Sequence, residues 1–210
     1  MIVSDKVFKY IEQITSDPSP NMMAIERETH LKTMAPQMIS GKIQGRFLSM
    51  ISHMIKPIQV LEIGTFTGYG AISLAEGLAT GGKVHTVEAN LELEKIIRAN
   101  ISQLGYDHKI IVHMDLAERV IPQLEIQWDL VFIDAGKKDY GLFYDMVFNQ
   151  VKKGGFILAD NVLWDGKVVR DSPDTDTQTI LTFNKRVSSD TRVENLILPL
   201  VDGMMLCRKK

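Results

Sequence analysis

From residue 58 onward the chain alternates short apolar runs with longer stretches whose apolar residues recur at helical spacing. The first kind of run suits a strand buried on both faces, the second an amphipathic helix. Strands are predicted at residues 58–63, 83–88, 109–113, 129–133 and 155–159. A helix over 69–78 follows the first strand, and a helix carrying Ile96, Ile97, Ile101 and Leu104 follows the second. This rhythm predicts a mostly parallel sheet with helices on both faces. Residues 192–198 and 204–208 form two further strand-like runs, separated only by 199–203. A gap that short excludes a helical crossover, so these two runs pair antiparallel. The predicted fold is α/β: a doubly wound seven-stranded, mostly parallel sheet with a C-terminal antiparallel hairpin.

Ahead of the sheet, residues 1–17 place Val7, Phe8, Ile11 and Ile14 on one helical face, and Asp17-Pro18-Ser19-Pro20-Asn21 stops that helix. A second helix carries Ile25, Glu26, Thr29 and His30. A third, over 41–55, is predicted to bury Phe47, Leu48, Met50, Ile51 and Met54. Residues 1–56 are thus expected to cover the crevice of a single domain spanning 1–210. Residues 164–177, rich in Asp, Pro, Ser and Thr, are expected to form a mobile lid.

Composition narrows the classes further. The 210-residue chain is 45% hydrophobic and 24% charged, which favours a folded domain over disorder. A net charge of -2 gives no overall electrostatic footprint for nucleic acid. The lone Cys207 excludes an internal disulfide framework and suits a reducing compartment. The N-terminus has no signal-peptide pattern. No apolar run approaches the roughly 18–20 residues that span a bilayer. A cytoplasmic protein with no membrane partner is expected.

The chemistry gathers at strand ends. Trp128-Asp129-Leu130-Val131-Phe132-Ile133-Asp134 is an apolar strand ending in an acid, and Gly155-Phe156-Ile157-Leu158-Ala159-Asp160-Asn161 another ending in an acid and an amide. Residues just past the carboxyl ends of parallel strands face the ligand crevice, so Asp134, Asp160 and Asn161 should converge as three oxygen donors. Hard oxygen ligands without Cys or His suit Mg²⁺, Mn²⁺ or Ca²⁺ rather than zinc. Upstream, Glu62-Ile63-Gly64-Thr65-Phe66-Thr67-Gly68-Tyr69-Gly70 turns from strand to helix with spacing Gly-x3-Gly-x-Gly, not the spacing of dinucleotide folds. Glu88, ending the second strand, suits a ribose diol. Together these features point to a nucleoside-bearing cofactor.

The glycine turn with Glu62 and Glu88 resembles the cofactor motif of S-adenosylmethionine-dependent methyltransferases, the class I, Rossmann-like group. Phe132-Ile133-Asp134-Ala135-Gly136-Lys137-x2-Tyr140, followed by Ala159-Asp160-Asn161-Val162-Leu163-Trp164-x-Gly166, is similar to the cation-dependent caffeoyl-CoA and catechol O-methyltransferase family. Met38-x-Ser40-x3-Gln44-Gly45 and Pro199-Leu200-x-Asp202-Gly203 extend the resemblance over about 25–208. It implies that Glu62, Gly64, Thr65, Gly68 and Gly70 hold the methionine and ribose part of S-adenosylmethionine, with Ser40 over the methionine end. Glu88 would bind the ribose and Asp115 would lie near the adenine. Asp134, Asp160 and Asn161 match the family's metal ligands, with Asp134 also beside the cofactor and the reacting groups. Lys137 matches the lysine proposed as general base, and Met38, Lys137 and Trp164 would face the acceptor. A homodimer is implied by the same resemblance. Three positions depart from the family: Gly136 replaces an acid, Gly70 a serine, and Met114-Asp115-Leu116 the more usual Gly-Asp-Ala.

The expected reaction is methyl transfer to a small hydroxylated aromatic acceptor, catechol-like or phenylpropanoid. The alternative within the family is a hydroxylated wobble uridine in transfer RNA. Simpler uses of the same residues compete: Asp134 as a helix N-cap, Asp160 and Asn161 as an Asx-turn, and Trp164 as a plug beneath its loop. His30, His53, His85, His108 and His113 lack metal-ligand spacing and are expected to be structural or surface residues. Arg208-Lys209-Lys210 is expected to be a solvated tail.

Overall fold

Apolar runs at the predicted places do form a sheet. The computed structural model describes residues 3–210, so the part of the helix and domain expectations that falls on residues 1 and 2 lies outside it. Strands β1 (Gln59–Ile63), β2 (Lys83–Glu88), β3 (Ile110–Met114), β4 (Trp128–Ile133), β5 (Val151–Ala159), β6 (Val193–Leu198) and β7 (Met204–Lys209) align in the order β3-β2-β1-β4-β5-β7-β6. The first five are parallel. The two late strands pair antiparallel as expected, but β7 also pairs antiparallel with β5 and so lies inside the sheet, between β5 and β6. The order reverses between β1 and β4, and in open α/β sheets the ligand crevice lies beyond the strand ends at such a point.

Helices α1 (Asp5–Ile14), α2 (Pro20–Lys32), α3 (Gly41–Ile55), α4 (Tyr69–Glu76), α5 (Glu94–Gln103), α6 (Ala117–Val120), α7 (Tyr140–Phe148) and α8 (Thr175–Ser188) flank the sheet. One apolar cluster packs Ile72, Leu74, Ile97 and Leu130 with Leu48 and Ile25; the other packs Trp128, Val131, Tyr144, Ile180 and Phe183. Helix α1 buries none of its residues, and Val7, Tyr10, Ile11 and Ile14 stay exposed.

Helix α3 corrects the predicted burial. Met50 and Met54 are 56% and 79% exposed, whereas Gln44, Gly45, Leu48, Ser49 and Ser52 are buried. The contact face is small and polar because α3 lies very close to α4. A Cβ on Gly45 would sit 2.4 Å from Tyr69 Cε1, and one on Gly77 would sit 2.1 Å from the His53 backbone nitrogen. Ser52 Oγ donates to the Leu74 carbonyl at 2.6 Å and Ser49 Oγ to Glu76 at 2.5 Å. Leu48 is buried as expected and Phe47 and Ile51 are partly so, while close approach with hydrogen bonds leaves Met50 and Met54 outside.

Two further expectations change. The segment expected as a lid has a kinked 3₁₀ turn over Trp164–Val169, and α8 starts at Thr175 with Asp174 capping Thr177 N at 2.8 Å. Only 170–174 remains irregular, because Asp174 and the Thr-rich run after it nucleate a helix. The basic end is not a solvated tail: Lys209 Nζ donates to the Phe148 and Val151 carbonyls at 2.8 and 2.7 Å, and Arg208 pairs with Glu194. Among the described residues no helix is long and apolar enough to cross a membrane.

His85 and His113 lie on adjacent strands with their rings stacked 5.3 Å apart and His85 Nδ1 3.0 Å from His113 Nε2. That bond needs at least one neutral ring. Burial first, then His113 and Lys83, push the His85 pKa down to about 4 from 6.5. Protonation of the unfolded chain begins near 6.5, so this contribution to stability is full above that pH and is lost as pH falls towards 4. After discounting for solvent screening, moving from pH 7 to pH 5 should cost about 1 kcal/mol through this ring. Urea midpoints of wild type and His85→Phe at both pH values test this; an equal acid shift in the two proteins removes the ring from the account.

Candidate active site

Each strand end is fixed by backbone bonds to its neighbour. Gly64 N donates to Val87 O at 2.9 Å, Asp134 N to Ile63 O at 2.8 Å, and Asp160 N to Ile133 O at 3.1 Å. These bonds set Gly64, Asp134 and Asp160 side by side at the crevice. A cavity of about 1050 Å³ opens above them. It is lined by the glycine-rich turn, Glu88 and Asp115 on one side and by Asp134, Lys137, Asp160, Asn161 and Trp164 on the other. Residues 32–35 and 37–40, with Gln44, close its rim; α1 does not reach it. A shallower groove of about 530 Å³ between α7 and α8 gathers no comparable chemistry.

On the glycine side, Gly64 and Gly68 take positive φ values of 99° and 91°, turning β1 into α4. Glu88 accepts from Phe66 N at 2.8 Å and Asn90 N at 2.9 Å, so its carboxylate supports the turn as well as facing the cavity. Thr65 Oγ1 lies 2.5 Å from Thr86 Oγ1, which in turn donates to Glu62. Glu62 is buried, and desolvation holds its carboxyl well above the usual range. A Cβ on Gly70 would sit 2.3 Å from Glu62 Oε1, so glycine in place of the family's serine leaves Glu62 its present position. Ser40 and Met38 lie on the rim. Asp115 is half exposed, bonded to its own neighbour Leu116 N at 2.7 Å and to Arg119 at 3.3 Å.

On the acidic side, Asp160 is 4% exposed and its pKa is raised to about 7, chiefly by burial and then by the Asp134 charge. Burial likewise raises Asp134, which Lys137 Nζ partly offsets from 3.5 Å. Asp134 caps no helix: the residues in the cap positions nearby are Gly136 and Asp139. Asn161 sits at φ 55°, a left-handed conformation that Asn tolerates, with Nδ2 3.4 Å from Asp202 Oδ2. Among the described residues Asp160 Oδ1, itself buried, has no hydrogen-bond partner. Such an orphan beside a second carboxylate and an amide fits a hard cation. Among the described residues no three His, Cys, Asp or Glu side chains form a metal cluster; the third polar side chain beside the two carboxylates is the Asn161 amide, outside those types.

Three residues acquire parts the sequence did not assign. Gln44 Nε2 donates to Asp160 Oδ2 at 2.9 Å. Tyr140 Oη accepts from Lys137 Nζ at 2.8 Å, and burial with the nearby carboxylates keeps that phenol protonated. Asp202 accepts from Asn161 and from the Asp165 backbone N–H, tying the turn before β7 to the end of β5. All three lie in quoted motifs, but their partners are 116, 3 and 41 positions away in sequence, and spacing alone names none of the two distant ones. Trp164 lines the cavity, its Nε1 buried and without a hydrogen-bond partner among the described residues.

A doubly wound sheet with a glycine turn and paired acids at its switch point is an architecture that methyltransferases use. A sequence model of the O-methyltransferase family matches residues 12–210, and the chain belongs to that family. Its relatives include caffeoyl-CoA O-methyltransferase 1 of Nicotiana tabacum, 32% identical across 100% of this chain and 93% of that protein. Caffeoyl-CoA O-methyltransferase 2 of Petunia hybrida is also 32% identical, across 100% of this chain and 92% of its own. Among solved structures, the O-methyltransferase from Bacillus cereus in complex with SAH superposes with a TM-score of 0.89 at 26% identity, covering 98% of this chain and 97% of its own. The SAH-bound Podospora anserina methyltransferase PaMTH1 gives 0.91 at 24% identity over 98% and 94%, a likeness of fold.

Proposed function

We propose that this enzyme transfers a methyl group from S-adenosylmethionine to a hydroxyl of a small catechol-like or phenylpropanoid acceptor, with Asp134, Asp160 and Asn161 holding a divalent cation, Mg²⁺ first among the candidates. The observation that carries this reading is the buried, unpartnered Oδ1 of Asp160 in the cavity shared with the glycine-rich turn. The caffeoyl-CoA relatives and the SAH complex of the Bacillus cereus enzyme support the acceptor class and the cofactor.

When bound, the sulfonium supplies an electrophilic methyl group and the cation supplies charge that favours an ionised acceptor hydroxyl. The chain's own residues do the rest. A free phenol has a pKa of about 10, so its proton must be removed before or during transfer. Lys137 Nζ lies between Tyr140 Oη and Asp134 Oδ1; as the neutral amine it would act as the base, its lone pair taking the acceptor's hydroxyl proton to give the ammonium. The turn 64–70 with Ser40 would seat the methionine end and Glu88 the ribose, with Asp115 towards the adenine; all of them line the cavity. Trp164 and Met38 wall the acceptor, with the Trp164 N–H as a donor for one of its polar groups. Holding nucleophile and methyl group in line supplies much of the acceleration.

Lys137→Met should lower turnover about 10²–10⁴-fold while leaving S-adenosylmethionine affinity within about twofold. Unaltered turnover removes Lys137 from the reaction. The substrate class is tested with labelled S-adenosylmethionine, a panel of catechols and caffeoyl esters, and hydroxyuridine-bearing RNA, each with Mg²⁺ or EDTA. EDTA-sensitive labelling of a small phenol supports the proposal; labelling of RNA alone overturns it.

A further inference from the structure

We propose that Gln44 is a positioning residue for the cation, fixing the Asp160 carboxylate so that one chosen oxygen faces it; this rests on the metal reading above. Gln44 is buried near the start of α3, and its Nε2 lies 2.9 Å from Asp160 Oδ2. The other oxygen, Oδ1, is the one left without a partner. The Gln44 bond to Oδ2, with Oδ1 left open, therefore distinguishes two chemically equivalent oxygens and opposes rotation of the carboxylate about its last bond.

The residue type suits that task. A glutamine amide donates without a net charge, so it restrains Asp160 without neutralising it or competing with a cation. Asp134, by contrast, has the Lys137 side chain 3.5 Å away. Burying an amide costs free energy unless it is bonded, so space-filling alone would be met as well by an apolar side chain. The neighbouring glycine explains how the bond is reached. Gly45 allows α3 to press against the Tyr69 ring, where a Cβ would fall 2.4 Å from Cε1, and this close approach carries the amide to the end of β5. Residues bonded behind a metal ligand typically contribute 10–100-fold to affinity.

The test is Mn²⁺ affinity by titration calorimetry and electron paramagnetic resonance, with the metal-free thermal midpoint and S-adenosylhomocysteine affinity measured on the same samples. Gln44→Met keeps the volume and deletes the donor; Gln44→Asn keeps the amide but withdraws it by one methylene. Both should weaken Mn²⁺ about tenfold or more, leaving the metal-free midpoint and S-adenosylhomocysteine affinity close to wild type. Mn²⁺ binding abolished by Asp160→Asn but unchanged in both Gln44 variants overturns the role of Gln44 alone. Wild-type Mn²⁺ binding that ignores Asp160→Asn overturns the metal assignment and this proposal with it. Loss of the metal-free fold in both Gln44 variants makes Gln44 a packing residue and also overturns the proposal.

Discussion

Asp160→Asn should bind no divalent cation and should lose about two to four orders of magnitude in methyl transfer, the several kcal/mol a cation supplies to a developing oxyanion. The substitution preserves size and can still accept from Gln44 Nε2 through its amide oxygen. Its NH₂ group then takes the place of the unpartnered oxygen and cannot ligate. The same change should stabilise the metal-free protein. The Asp160 carboxyl titrates at about 7 when folded, against 3.8 as its ordinary value. Between those values the folded state holds the extra proton, so wild-type stability falls as pH rises through the window. At pH 8 the neutral variant should exceed metal-free wild type by about 2 kcal/mol, and at pH 4 by almost nothing. Turnover or cation binding equal to wild type would show that Asp160 is not the ligand described; urea midpoints with the same pH slope in both proteins would show that burial does not raise its carboxyl.

Gly64→Ala should cost about 3–5 kcal/mol and a fall in Tm of roughly 10 °C, with loss of cofactor binding. A Cβ there would lie 2.0 Å from the Asp134 carbonyl oxygen and 2.7 Å from its carbon. That oxygen is backbone, and Asp134 N is itself bonded to Ile63 O, so it cannot swing aside. The ends of β1 and β4 would have to part, with the glycine turn on one and the first acid on the other. Gly68→Ala is the control. It shares the positive φ, but its Cβ would meet nothing closer than Ile101 Cγ1 at 3.8 Å, so only backbone strain of about 1 kcal/mol is expected. Thermal denaturation of both variants separates steric conflict from strain, and equal losses would refute the clash.

The parallel strands were legible because burial on both faces leaves continuous apolar runs, such as Leu130 to Ile133, that few other structures need. Their carboxyl ends located Asp134, Asp160 and Asn161 by the rule of the fold alone. What stayed hidden depends on distant partners. Nothing local in Met204–Lys209 says that it pairs with β5 as well as β6. Helix α3 misled in part: Leu48 is buried as its apolar spacing suggests, but Gly45, Ser49 and Ser52 make the rest of the contact with Gln44, and an apolar period cannot mark a contact made by small polar residues. Helix α8 did carry a signal, with Thr177, Ile180, Phe183 and Val187 buried at helical spacing, but its Thr-rich start resembled a loop. Gln44 and Asp202 are ordinary polar residues until the strands they reach are in place.

The position of β7 bears on how the molecule is made. During synthesis β6 leaves the ribosome first, yet the place beside β5 belongs to residues 204–209, which follow it. Until they emerge, β5 is an open edge and β6 has no partner, a state in which nascent chains recruit one another. Asp160 and Asn161 sit at the end of that open strand, and the Asp202 carboxylate that holds Asn161 arrives only just ahead of β7. The acidic half of the proposed catalytic centre therefore cannot mature before nearly all of these residues have been translated, whereas the glycine turn, β1 and β2 have their neighbours much earlier.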